Sequence, residues 1–557
     1  MIGVWMRSES ALDHTMPNAL HAMSIPTATW SSINLAEAVP GVMTPLCASV
    51  WVPASELGLR QPFLAMGALP ADLGGIPADP ADRITNAFFG RMAVRVDFLC
   101  EMGDLLPGQS GEALSRDFFG FVPEDFRSRP SVRRLPHILV RYPRAVATIG
   151  RRVRRLRGDI DTWWRAETSR MTDLGYGEAQ RVAAAARDRF FDALAAQAVI
   201  SATVIQPLQE QLATVCRHAG VDAAVLLRGA SHEEGAVLDD LWAVSRGTLD
   251  VEQFVLRHGY HGPGEGELET RVWREDPAAV NSLVRRYQAK PDTESPSAHA
   301  DAHRDMRQRA ERTLLSASGP LGRLRSRTVL GLARRYIPLR GTGKVSYLQC
   351  LDVLRAAARR LGSLMVASGR LTVPDDALYL TIDELSGPFA ADPAVDIKAV
   401  VAERRELRRR YQAMTLPTTW TGQPVPRIAD EGTEVRPTSA LSGVGACAGV
   451  VEGRAVVVDD PAEADVDDGD ILVARTTDPS WVSLMFLSSG LIVDIGGLMS
   501  HAAVVARELD IPCVMNTGIG TSVLRTGDLI RIDGAAGTVE LLRRATGPTT
   551  DDERTSL

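Results

Sequence analysis

The sequence predicts a multidomain α + α/β protein: a mostly helical domain followed by a compact β/β/α domain. Three observations carry this. At 557 residues the chain is too long for one ordinary core and suits two to four domains. Residues 140–260 and 300–415 are dominated by Ala, Leu and Arg at helical spacing, as in EAQRVAAAARDRFFDALAAQAVI. Near the C-terminus the pattern changes. LIVDIGG is an apolar run of β-formers ending in glycines, and SHAAVVARELD returns to helical spacing with Ala502, Val505, Ala506 and Leu509 on one face.

Taken in order, residues 1–28 have no clear periodicity and are expected to be a disordered leader. The mostly helical domain is expected over 29–414. It opens with INLAEAVPGVMTPLCASVW, an apolar run punctuated by Pro40 and Pro45. Inside it, HGYHGPGEGELETRVWREDP, 258–277, is glycine-rich and carries His258, His261, Glu265, Glu267 and Glu275. An ordinary loop and a functional one both fit that composition, and HxxH followed by carboxylates is too common to assign a metal site. PDTESPSAHADAH, 291–303, is polar and proline-containing, so it reads as a surface loop in which His299 and His303 are incidental. LRGTGK, 339–344, sets Arg340 and Lys344 four residues apart, on one face if the helix is already wound there. An exposed basic pair fits as well. Periodicity stops and prolines gather over 415–437, the expected hinge linker. A compact β/α domain over 438–542 and a disordered tail over 543–557 complete the chain.

Composition excludes several classes. A formal charge of −7 argues against a dedicated nucleic-acid binder, and the runs RRVRRLR and RLRSRTVLGLARRYIPLR read as solvated helix faces. Lys290, Lys344 and Lys398 are the only lysines, a weak hint that Lys344 is there for its chemistry. Cys47, Cys100, Cys216, Cys350, Cys447 and Cys513 have no CxxC or CxxH spacing and read as reduced, mostly buried thiols of a cytoplasmic protein. The N-terminus lacks the apolar core of a signal peptide, and no membrane span is expected because the longest uncharged stretches are interrupted by prolines or Asp494.

The most informative residue is His501. Ser500 is the natural N-cap, so His501 opens the first helical turn. There the unpaired backbone N–H groups and the positive end of the helix dipole disfavour imidazolium and favour an added anion. Such a histidine, neutral near pH 7, can attack phosphorus. Gly496 and Gly497 carry no Cβ, so a ligand or another domain can approach the turn closely. A histidine at a helix start is by itself more often a capping or packing residue.

The string GG, SHAA, VAREL and IPCV resembles the phosphohistidine segment of the swivelling domain shared by phosphoenolpyruvate synthase, pyruvate phosphate dikinase and rifampicin phosphotransferase. EGRAVVV, GDILVARTTDPSW and TGDLIRIDGAAGTVELL fit the same domain. The resemblance implies that His501 is the phosphoryl carrier and that Gly497, Ser500 and Arg507 position the phosphate. Asp510 stands where relatives often have glycine, a mild departure at a helix C-terminus. EAVPG..TPL, HGYHGPGE and WREDP are similar to the substrate-binding part of rifampicin phosphotransferases, which makes His261 and Glu265 candidates for acid/base or acceptor-orienting work, with a structural role as the alternative. Relatives carry an Arg and a Lys at the spacing of Arg340 and Lys344, facing the carrier histidine; the glutamate that often follows the arginine is Gly341 here.

The full-length relatives begin with an ATP-grasp domain that charges the histidine. No segment for it is recognised in this sequence, and no phosphoenolpyruvate-binding barrel pattern follows the carrier. The expectation is a phosphotransferase component. His501 would be charged by a separate ATP-grasp protein using ATP and Mg2+, and would pass the group to a small-molecule acceptor. That acceptor would be a hydroxyl of a secondary metabolite or a carboxylate activated for condensation. The alternatives are a catalytically silent binding relative and a carrier charged from phosphoenolpyruvate by a separate barrel protein.

Overall fold

A computed structural model describes residues 18–545, apart from residues 34, 36–37, 120, 228–231, 289, 318, 429–439, 460, 462–463, 465, 468, 478–480 and 497–499. The N-terminal part is a body of long helices. Pro45–Met66, Leu135–Arg170, Tyr176–Ile200 and Leu339–Ala367 pack around one apolar cluster that includes Trp51, Phe190, Leu351 and Leu354. Thr44 starts the first of these as N-cap, its Oγ accepting from the Cys47 N–H at 3.3 Å, and Pro45 follows at the position where a missing N–H costs nothing.

Tyr176–Ala219 is long and apolar enough to cross a bilayer, with a mean hydropathy of 1.3 over its most apolar window. Ala179, Ala183, Ala186 and Phe190 from this run nevertheless belong to the core of the body, where the neighbouring helices cover them.

A small sheet seals one end of the body. Strands β1 (Thr29–Ser31), β2 (Thr85–Phe88) and β3 (Arg91–Arg95) form it with a short strand from after the last long helix, Thr419–Thr421, which pairs antiparallel with β1 so that Trp420 faces Trp30. This changes two expectations. Residues 18–28 are not part of a loose leader: Leu20 and Ala28 are fully buried, Gly90 N–H donates to Leu20 O, and Phe89 N–H donates to His21 Nδ1. Likewise, residues 415–423 belong to the body, because the Thr419–Thr421 pairing and the Gln423 bonds to Ser24 and His21 tie them down. Residues 429–437 of the expected linker, 1–17 of the leader and 546–557 of the tail lie outside the described residues.

Residues 291–303 also differ from expectation. The Pro296–Ser316 helix begins inside this segment, with Pro296 at its first position and the alternating Ala and polar residues winding onward.

The C-terminal part is built on an eight-stranded sheet. In chain order its strands, here β4 to β11, are Ala440–Ser442, Val444–Cys447, Val450–Val458, Ile471–Ala474, Gly490–Val493, Cys513–Met515, Leu529–Asp533 and Thr538–Arg543. Four adjacent strands, β6, β7, β8 and β9, run parallel, and antiparallel neighbours flank them. β7, β8 and β9 are buried on both faces, which explains their unbroken apolar runs. Alternation sorts their side chains. Leu472, Ala474, Leu491, Val493, Cys513 and Met515 face the His501–Leu509 helix, while Ile471, Val473, Ile492 and Val514 face a second cluster with Ile530 and Ile532.

The first of those faces is continuous with the helical body. Its cluster takes in Val237, Leu241, Phe254, Trp273, Val280 and Tyr287. The Tyr287 ring stacks on Phe486 at 5.5 Å and 8°, Lys290 lies 5.0 Å from the Phe486 ring centre, and Arg286 Nη2 donates to Ala464 O. The C-terminal sheet is therefore docked against the helices His232–Ser245 and Pro277–Gln288.

Candidate functional site

The segment 258–277 is a buried loop. Arg355, fully buried in the Leu339–Ala367 helix, donates from Nη2 to Glu265 O and Glu267 O at 3.2 and 2.9 Å. Trp51 Nε1 donates to Gly266 O at 2.8 Å. Thr44 donates to Glu267 from both its hydroxyl, at 2.7 Å, and its backbone N–H, at 3.2 Å, which joins the EAVPG..TPL segment to the loop. Gly266 is required by close approach: a Cβ there would lie 1.9 Å from Ala38 O.

This loop sets His261 Nδ1 2.8 Å from Glu265 Oε2, and Lys344 Nζ lies 3.1 Å from Glu265 Oε1. Burial works to raise the Glu265 carboxyl, but Lys344 and then His261 outweigh it and hold it below the usual carboxylate range. An ionised Glu265 accepts from Nδ1–H of the imidazole and so leaves Nε2 as the nitrogen with basic character. Tyr260, 4.4 Å away centre to centre, and Trp273, at 5.8 Å, fix the ring plane.

Arg340 and Lys344 both lie in the first turns of Leu339–Ala367, so they share a face. Lys344, His261, Gly341 and Val345 line a small cleft with Glu233 and Val237 from the His232–Ser245 helix. Val482, from the C-terminal part, forms another piece of its wall.

On the C-terminal side, Ser500 is the N-cap of His501–Leu509, its Oγ accepting from Ala503 N–H at 3.3 Å. His501 is the first residue of this helix. Its side chain, and Gly497 as a whole, lie outside what is described. Arg507 donates from Nε to Ala446 O at 2.9 Å; burial lowers its pKa, and among the charges acting on it is Arg340 from the helical body. Asp510 takes the left-handed conformation, φ 57° and ψ 36°, and closes the helix with its N–H on Ala506 O.

Three residues at or near the cleft are not among those the sequence singles out. Glu233 and Val482 reach the cleft by folding alone, and nothing in their local strings marks them. Asp352 left a signal: a charge inside the apolar run LQCLDVLRAAA. It is fully buried and receives Arg274, at 2.8 and 3.0 Å, and Trp164 Nε1, at 2.7 Å.

Residues 466–537 match the family model of the PEP-utilising enzyme mobile domain, and residues 162–341 match that of the rifampicin phosphotransferase fourth domain. A rifampicin phosphotransferase from a Streptomyces species is 34% identical over 325 residues, which are 56% of this chain and 36% of that protein. One from Streptomyces sviceus is 30% identical over 321 residues, 56% of this chain and 37% of the relative. A third, from Bacillus cereus, is 26% identical over 318 residues, 56% and 36%. The chain thus spans little more than a third of the length of these curated relatives. The first of the two matches contains Ser500 and His501, and the second contains His261, Glu265 and Arg340.

Proposed function

We propose that this chain is the carrier and acceptor part of a phosphotransferase. His501 takes a phosphoryl group from an ATP-grasp protein, encoded separately, and delivers it to a small-molecule acceptor in the cleft beside His261. ATP and Mg2+ act in the charging step. The observation that carries the reading is the meeting of His261, Glu265 and Lys344 at a cleft whose wall includes Val482 of the mobile domain.

The chemistry follows from the geometry. Glu265 holds Nδ1–H of His261, so Nε2 accepts the proton of the acceptor hydroxyl as its oxygen attacks phosphorus. The bond from phosphorus to the His501 nitrogen breaks, and the imidazole leaves neutral after taking a proton. Phosphoryl transfer rests on positioning and on cations around the equatorial oxygens. Lys344 and Arg340 supply those cations, and their position at the start of one helix keeps them on the same side of the cleft. Ser500 and the first-turn N–H groups hold the phosphate on the carrier. The apolar wall of Val237, Val345 and Val482 favours an acceptor with an apolar body.

The test is a single turnover. The phosphorylated chain is mixed with candidate hydroxylated acceptors, and the decay of phosphohistidine and the appearance of phosphorylated product are followed together. His261→Ala and Lys344→Ala should keep the loaded carrier and slow transfer about 100-fold or more. If both variants transfer at the wild-type rate, the cleft is not where the phosphoryl group goes.

A further inference from the structure

The edge of the C-terminal sheet brings two thiols together. Where β9 pairs antiparallel with β5, Cys513 is the direct partner of Cys447, and the register shifts by one residue between Cys513 and Val514. Residues opposed in this way have Cα atoms about 4.5 or 5.5 Å apart, depending on their place in the ladder. Both values fall within the roughly 4.4–6.8 Å that a disulfide spans. Directly opposed residues of a ladder project from the same face of the sheet, and both cysteines belong to the apolar cluster that contains Ala502, Ala503 and Ala506 of the helix above. Val514, the next residue, faces the opposite cluster. Both thiols are unbridged. The other four cysteines are distributed over four different helices.

The surroundings give the pair a chemical bias. Cys447 keeps 6% of its surface exposed and Cys513 none, so an oxidant reaches Cys447 first. Burial pushes the Cys513 thiol up, Cys447 adds to this, and the Arg507 guanidinium opposes it. Cys513 is therefore the slower thiol of the two and reacts second rather than as the first nucleophile.

We propose that Cys447 and Cys513 are an oxidative modification site, a cross-strand dithiol that a peroxide converts into an intramolecular disulfide beneath the His501–Leu509 helix. The Cys447 sulfur attacks one peroxide oxygen, giving a sulfenic acid and one water. The Cys513 sulfur then attacks the Cys447 sulfur; the S–S bond forms, and the sulfenic oxygen leaves with the thiol proton as a second water. Two thiols and one hydrogen peroxide thus give one disulfide and two waters. The bridge ties β5 to β9 next to Ala446, whose carbonyl is the Arg507 acceptor.

The whole chain is treated with hydrogen peroxide under native conditions, blocked with N-ethylmaleimide, digested without reduction and mapped by mass spectrometry. The expected product is a Cys447–Cys513 linked peptide pair that dithiothreitol releases, and a higher thermal midpoint for the oxidised protein. Cys447→Ala and Cys513→Ala should each remove both the linked pair and the shift in midpoint. If one variant fails to fold, the other and the wild-type map decide. Recovery of both cysteines as blocked thiols or as sulfinic acids from a folded, oxidised chain would overturn the proposal. So would a linked pair that forms only after unfolding.

Discussion

Glu265 accepts the His261 ring at 2.8 Å through one oxygen while its other oxygen holds Lys344 at 3.1 Å. The carboxylate therefore does two things at once: it sets the imidazole tautomer and anchors the ammonium that borders the cleft. Glu265→Gln keeps the shape and removes the charge. Breaking a buried pair in this way should destabilise the body by about 3 kcal/mol. Denaturant unfolding measures the loss, and a change under about 0.5 kcal/mol would be the size of an ordinary surface substitution.

The same group sets an acid limit. Its carboxyl is held below the ordinary value of 4.5, so the stabilisation is fully present above that value and is lost as pH falls through the lowered folded one. His21 and His258 act at higher pH. Burial lowers each from 6.5 to about 4, so both are neutral in the folded chain and charge on unfolding as pH drops. Between pH 6.5 and 4 each should remove about 1.4 kcal/mol of stability per pH unit. Unfolding midpoints at pH 7 and pH 5 measure this slope; a flat response would contradict the burial of both rings.

Gly266→Ala tests the close approach of the 258–277 loop to the N-terminal segment. The added methyl meets Ala38 O at 1.9 Å, and the backbone must move. Overpacking of this kind costs about 1–3 kcal/mol or more. The thermal midpoint should fall, and acceptor transfer should fall with it, since the shift displaces Glu265. A variant with an unchanged midpoint would mean that the two segments do not pack this closely.

Asp510→Gly should stabilise the chain by about 1 kcal/mol, because glycine takes the left-handed conformation without the Cβ penalty that aspartate bears. A thermal midpoint that falls on this substitution would show that the aspartate side chain contributes more than the strain it causes.

Phe486→Ala addresses how the C-terminal sheet sits on the body. The ring stacks on Tyr287 at 5.5 Å, and an aromatic pair adds about 0.5–1.5 kcal/mol beyond the area it covers. Its loss should raise the share of chains with the C-terminal sheet undocked, visible as a larger radius of gyration in small-angle scattering. An unchanged radius would place the docking energy elsewhere in the shared apolar cluster.

What the sequence disclosed, and what it did not, follows from range. Ser500 capping the helix that His501 opens was legible because caps and helical periods are local, and so was the apolar run of β8; the spacing of Arg340 and Lys344 does not by itself say that the helix is already wound there. The helix over residues 296–316 was misread because its first turns are polar, and the bonds of His21 and Leu20 were invisible because their partners lie 60 or more residues away. The 78 residues between Glu265 and Lys344 hid their contact in the same way, and only the resemblance to known phosphotransferases put the two in one site beforehand.

The most direct measurement is the site of the phosphoryl group itself. The chain is incubated with radiolabelled ATP and a candidate ATP-grasp partner, then mapped by peptide. The account predicts acid-labile, base-stable label on the peptide that contains His501, and none in His501→Ala. Label that survives in His501→Ala, or a wild-type chain that no ATP-grasp partner can label, would contradict it.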